Sequence, residues 1–214
     1  MESLEDIMNK KEKLLPELRE RVFKKGPFGK MIGHPFVHEP MYIPAMNAMY
    51  NRQFLAKKEA AKKAVDEKNW HTYVWLHERP YRLEAFMDIH DDVDDKNYWE
   101  LLHDIWIDSE NIWQYLDAWK MLLKSERSGK GHFMDEDEKN KFESIPETVT
   151  VYRGHQKHNK DGLSYTLSKS KAEWFAGRFR KNEAQVKQIT VQKSQIFAYV
   201  ERGDEQEVIV LEDL

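Results

Sequence analysis

Thr148-Val149-Thr150-Val151-Tyr152-Arg153 is the stretch at which the chain changes character. Val149, Val151 and Arg153 fall on one side of an extended chain and Thr150 and Tyr152 on the other, the two-residue alternation of a strand. Upstream, apolar residues recur at helical spacing instead. Trp99, Leu102, Ile105 and Trp106 make one stripe, Ile112, Tyr115, Leu116, Trp119, Leu122 and Leu123 a second, and both are expected in the core. Downstream, strands are predicted at 163 to 167, near Ile189, at 196 to 200 and at 206 to 211, with a helix near 171 to 179. The expected fold is therefore α+β, a helical N-terminal half followed by a mixed β-sheet core.

Working back toward the start, Leu4, Ile7, Met8, Leu14, Leu15, Leu18 and Val22 predict an amphipathic helix over the first 25 residues, bent at Pro16 and stopped by Gly26 and Pro27. Phe28 to Pro40 carries glycine and proline breaks and reads as an irregular connection. A second helix is expected from Tyr42 to about Lys68, and Pro80 starts another that runs to about His90. Asp94 or Asp95, and then Asp108 or Ser109, stand where a side-chain oxygen can cap the next helices. The expected division is an N-terminal helical extension, residues 1–68, and a domain over 69–214.

The chain has 214 residues, 40% of them hydrophobic, with seven tryptophans, nine tyrosines and ten phenylalanines. That aromatic content argues for a folded protein, and the length is enough to bury a real core. A net charge of -4 gives no chain-wide attraction to phosphate backbones or anionic lipid. Cysteine is absent, which excludes disulfides, thiolate metal sites and a cysteine nucleophile. The charged first 25 residues lack the apolar centre of a signal peptide and no stretch is apolar enough for a membrane span, so a cytoplasmic location is expected.

Three positions invite a chemical reading. In Glu205-Gln206-Glu207-Val208-Ile209-Val210-Leu211, apolar residues on both faces imply a central, covered strand. An acid at its entrance is either hydrogen-bonded for structure or exposed at a cleft where a ligand completes its contacts. Arg153, just before Gly154, is either a solvated edge-strand arginine or a guanidinium fork beside a backbone that a ligand can approach. Ser164 and Thr166 share one face of the next short strand, where hydroxyls are ordinarily solvated groups on the surface.

The order of these pieces resembles the arginine-serine-glutamate class of ADP-ribosyltransferases. The resemblance rests on Tyr152-Arg153-Gly154, then Leu163-Ser164-Tyr165-Thr166 leading into Ala172-Glu173-Trp174-Phe175-Ala176, then Glu205-Gln206-Glu207, over about residues 148 to 211. The serine motif reads Ser-Tyr-Thr, and the interval from Arg153 to Ser164 is short for the family. The resemblance implies an ADP-ribosyltransferase-like sheet core and NAD as substrate. It assigns Arg153, Gly154, Ser164 and Thr166 to the dinucleotide and one of Arg178 and Arg180 to its pyrophosphate, with Tyr152, Tyr165, Phe175 and Phe179 as candidate stacking rings. It makes Glu207 the catalytic acid beside the breaking glycosidic bond and Glu205 the group that orients or deprotonates the acceptor. The implied activity is NAD-dependent mono-ADP-ribosylation of a macromolecule, a protein arginine rather than nucleic acid, with NAD hydrolysis or a non-catalytic partner-binding module as alternatives. A partner or inhibitor could engage the helical half.

No metal is expected. Among the nine histidines, the pairs His34 with His38 and His155 with His158 lack a helical frame and a third ligand. His77-Glu78-Arg79-Pro80 is not a zinc-protease motif. The acidic run 91–95 lacks the glycine and final glutamate of a calcium loop.

Overall fold

Pro16 sets the first described helix. A computed structural model describes residues 12–24, 29–178 and 181–211, and in it Pro16 opens a single helical turn, α1 (Pro16–Arg19), at the position where its missing N–H costs nothing. Of the long first helix expected from the sequence, residues 1–11 lie outside the described residues, and the remainder is not one helix. Val22–Lys24 is a strand, β1. The irregular connection expected at 28–40 is in fact two further strands, β2 (Lys30–His34) and β3 (Val37–Glu39), in an antiparallel sheet of order β1-β2-β3. Burial overrode the glycine and proline signals. Ile32 and Val37 are driven into a core with Leu14, Leu18, Tyr50 and Phe54, and Gly33 makes room for the Phe23 ring.

Helix α2 (Asn47–Asp66) supplies Tyr50 and Phe54 to that core. Helix α3 (Trp70–Leu76) starts at Asn69, whose side chain accepts from Thr72 N–H at 3.1 Å, and packs on α2. Helix α4 (Arg82–Ile89) follows a single turn at Arg79–Tyr81 that contains Pro80. The chain divides into two compact units, the first of which, Met1–Val93, contains these helices and the three-stranded sheet. The first unit is therefore not purely helical.

The second unit, Asp94–Leu214, opens with α5 (Asp95–Asp108). The Asp94 carboxylate caps it by accepting from Asn97 N–H at 3.2 Å. Ser109 does not cap the following helix; its hydroxyl turns back to the Ile105 carbonyl at 2.7 Å and closes α5. A 3-10 turn at Ile112–Tyr115 then leads into α6 (Leu116–Leu123). Tyr98 donates to the Leu122 carbonyl at 2.9 Å and the Trp99 indole to Ser128 at 2.8 Å, which fixes this corner. The first apolar stripe is buried throughout; of the second, Trp119, Leu122 and Leu123 are buried, whereas Tyr115 is exposed at the turn. Helix α7 (Glu136–Glu143) begins with a capping box between Asp135 and Glu138.

The sheet that follows contains β4 (Thr148–His155), β5 (Ser164–Thr166), β6 (Gln185–Gln192), β7 (Ile196–Val200) and β8 (Glu207–Val210), with α8 (Lys169–Gly177) between β5 and β6. Its order is β6-β4-β5-β8-β7 and every pairing is antiparallel, so the sheet is not mixed. Strands β4, β5 and β8, the last of them distant in sequence from the other two, lie side by side at its centre. Val151, Tyr165, Val208 and Val210 enter one core with Ile145, Val191, Ile196 and Tyr199. Strand alternation then commits Ser164, Thr166, Glu207 and Ile209 to the opposite face.

Candidate functional site

That opposite face carries a cleft of about 270 Å³. Thr166 stands opposite Glu207 in the β5–β8 register and Tyr152 opposite Thr166 in the β4–β5 register, so three strands contribute one rung to its floor. Ser164, Arg153 and Gly154 also line it, as do Glu205 and Arg178. Each of these is a position that the sequence singles out. Arg180 and Phe179 lie outside the described residues. Phe175 lines the same space and Tyr165 borders it, its ring belonging to the core on the other face of the sheet; Ile112, Trp113, His155, His158 and Arg202, which no sequence motif marks, complete the lining.

Glu207 is only 4% exposed. Its Oε1 accepts from the Trp106 indole N–H at 3.3 Å, while its Oε2 is buried with no hydrogen-bond partner, 4.0 Å from Arg202 Nε. Burial raises the pKa of this carboxyl above the ordinary value; Arg202, the Ser164 hydroxyl, Trp106 and Arg153 draw it back. Glu205 is raised by the same cause, partly offset by Arg202 and reinforced by the neighbouring Glu207 charge.

The turn that presents both acids is anchored from several sides. The Glu201 N–H donates to Glu138 at 2.8 Å, Arg202 reaches back to α5, and Lys171 on α8 pairs with Asp204 at 2.8 Å. Thr166 serves the turn and not only the cleft. Its hydroxyl donates to the Glu205 carbonyl at 2.6 Å and accepts from Ser168 N–H at 3.0 Å. Gln206, between the two glutamates, sits at φ 47°, the left-handed region that costs a non-glycine residue about 1 kcal/mol or more. This residue stands between Glu205, which lies outside β8, and Glu207, which opens it.

Arg153 is neither a solvated arginine nor on an edge strand, because β4 lies between β6 and β5. Its guanidinium donates to the backbone carbonyls of Ser164 at 2.7 Å, Asn159 at 3.0 Å and Asp161 at 3.4 Å. Gly162 packs directly on it, where any side chain would collide with the guanidinium. Arg153 thus organises the short β4–β5 connection, and its buried Nε is the atom left without a partner. The missing side chain of Gly154 also has a packing cause. A Cβ there would run into the Ala172 carbonyl and Ala176 nitrogen of α8, so the open side of this glycine is filled by a helix.

At the rim, Trp113 and His158 meet edge to face at 5.2 Å, linking the 112–115 turn to the β4–β5 connection. Arg178 lies over the exposed Trp174 ring at 5.5 Å. Among the described residues there is no group of three or more histidines and acids that could hold a metal, and no helix is long and apolar enough to cross a membrane.

Compared with known proteins, the chain matches no family model, no curated sequence and no solved structure. The class that fold and site define is an α+β domain with a buried, cation-flanked carboxylate at the floor of a cleft.

Proposed function

We propose that the cleft binds NAD and that the chain is an NAD-dependent mono-ADP-ribosyltransferase acting on a macromolecule, with a protein arginine as acceptor. One observation carries this reading: Ser164, Thr166 and Glu207 share one sheet face that lines a cleft, and the buried acid there keeps one oxygen without a hydrogen-bond partner. A buried carboxylate without full partners is costly unless a ligand or a developing positive charge completes it. At about 270 Å³ the cleft suits the nicotinamide riboside half of the dinucleotide, with the adenylate half on the rim beside Arg178.

In the proposed reaction the bond between ribose C1′ and the nicotinamide nitrogen breaks, and its electron pair leaves with neutral nicotinamide. The positive charge then shared by C1′ and the ring oxygen is stabilised by the Glu207 carboxylate. An acceptor guanidine nitrogen forms the new bond to C1′ and yields its proton to Glu205. The raised pKa of Glu205 suits that role.

A second reading is a non-catalytic binding module, and a specific observation favours it: the Arg153 fork is already occupied by three carbonyls and has little left for a phosphate. The deciding experiment supplies NAD labelled in the adenylate to wild type and Glu207→Gln with lysate proteins present. Nicotinamide release with label on protein is expected from wild type. A loss of about 10²- to 10³-fold is expected for Glu207→Gln. Release without protein labelling turns the reading to NAD hydrolysis, and no release turns it to the binding module. Burial raises the Glu207 pKa, so removing its charge is expected not to lower stability, and a thermal melt of Glu207→Gln separates lost activity from unfolding.

A further inference from the structure

Arg202 lies five residues before Glu207 and belongs to neither the strand pattern nor the Glu-x-Glu motif. Its side chain makes a closed figure with two others. Nη2 donates to the Trp106 carbonyl at 2.6 Å and Nη1 to the Ser109 carbonyl at 3.3 Å, both at the end of α5. The Trp106 indole in turn donates to Glu207, whose free Oε2 faces Arg202 Nε at 4.0 Å. The α5 terminus, with its exposed carbonyls and negative dipole end, is a natural seat for a guanidinium. Seated there, the planar fork is held by two carbonyls, and its remaining nitrogen, Nε, lies beside the acid. The backbone contributes as well, since the Arg202 carbonyl accepts from Glu205 N–H at 3.2 Å.

We infer that Arg202 is a positioning residue for the acid pair: docked on the end of α5, it places its guanidinium beside Glu207 and holds that carboxyl in the cleft floor. The inference rests on the reading of Glu207 as the acid at the reacting centre. The charged groups that face Glu207 are Arg202 and Glu205 from its own turn and Arg153 from β4, and Arg178 lines the same cleft after α8. Arg153 is spent on the β4–β5 connection, so Arg202 is the cation whose orientation is set for the acid. Both facing atoms, Arg202 Nε and Glu207 Oε2, are buried and lack a hydrogen-bond partner. At 4.0 Å they are too far apart to bond each other, yet near enough for one hydroxyl oxygen to reach both.

The test uses the full chain with glutamate labelled at the side-chain carbon with carbon-13, the Glu207 signal being identified by its loss in Glu207→Gln. In Arg202→Gln the Glu207 carboxyl is expected to titrate at higher pH than in wild type. Nicotinamide release at pH 7 falls at least about ten-fold and recovers as pH rises. Arg202→Lys, which keeps the charge and loses the fork, restores the titration but lowers kcat with little change in KM. An unmoved Glu207 titration in Arg202→Gln, or a loss of release that is equal at every pH, overturns the inference. Should Arg202→Gln not fold, the lysine variant decides, because a wild-type kcat there also overturns it. If wild type releases no nicotinamide at any pH, the proposed reaction fails while the titration still settles what Arg202 does.

Discussion

Trp106 and Glu207 are 101 residues apart in sequence and meet at 3.3 Å, indole N–H to carboxylate oxygen. The ring is fully buried and packs at 4.9 Å against Trp119, so its donor is held rigidly. Trp106→Phe keeps most of the apolar volume and removes the donor to Glu207 Oε1. The expected loss of stability is about 1 to 3 kcal/mol, read by urea unfolding. Nicotinamide release falls about ten-fold or more, and its acid limb moves to higher pH because a hydrogen bond favouring the charged form is gone. An unchanged pH profile would separate Trp106 from the chemistry.

Gly154 gives a prediction of the opposite character. Its Cβ position is occupied by backbone atoms of α8, and backbone cannot turn aside as a side chain can. Gly154→Ala therefore pushes α8 off β4, at a cost of about 1 to 3 kcal/mol. Arg178 and Phe175, carried by and just after α8, line the cleft, so its wall moves too. The expected result is a lower unfolding midpoint together with a raised KM for NAD. An alanine variant of full stability would show that α8 does not rest on this residue.

Much of the second unit was legible in the sequence because its signals are local. The alternation from Val149 onward, the Asp94 cap and the stripe ending in Trp106 each became the expected element. Arg153, Gly154, Ser164, Thr166, Arg178, Glu205 and Glu207 do line one cleft. What was not legible depends on long-range packing. β2 and β3 are short and glycine- or proline-flanked, and only the core around Ile32 and Val37 makes them strands. The Arg153 carbonyl contacts follow from the path of residues 159–164, which no spacing rule conveys. Arg202 carried no pattern at all; the one available signal was a lone cation beside two acids in a turn.

Glu205 separates two steps that Glu207 joins. It is half-buried on a turn, raised in pKa by burial, and set outside β8 by the left-handed Gln206. Glu205→Ala removes the proposed proton acceptor and leaves Glu207 and its partners in place. Transfer to arginine is expected to fall about 10²-fold or more, while slow NAD hydrolysis falls far less. Protein labelling and nicotinamide release, measured in the same reaction, give the ratio. Equal loss of both would deny Glu205 an acceptor role.

His103 and Glu138 couple the stability of the second unit to pH. His103 on α5 lies 3.0 Å from Glu138 on α7, which is 1% exposed, and 3.5 Å from Asp104. Burial alone would lower the His103 pKa, but the two carboxylates outweigh it and push the value up to about 9. In the unfolded chain the ring returns to about 6.5. The pair's contribution is therefore fully present below about pH 6.5 and is lost as pH rises through 9. A few kcal/mol is the expected size. Glu138 also receives the Glu201 N–H, so neutralising His103 loosens the start of the turn that carries Arg202, Glu205 and Glu207. His103→Gln is expected to unfold at lower denaturant at pH 6 and to converge on wild type near pH 10. Parallel stability curves for the two proteins across that range would remove the ion pair from the account.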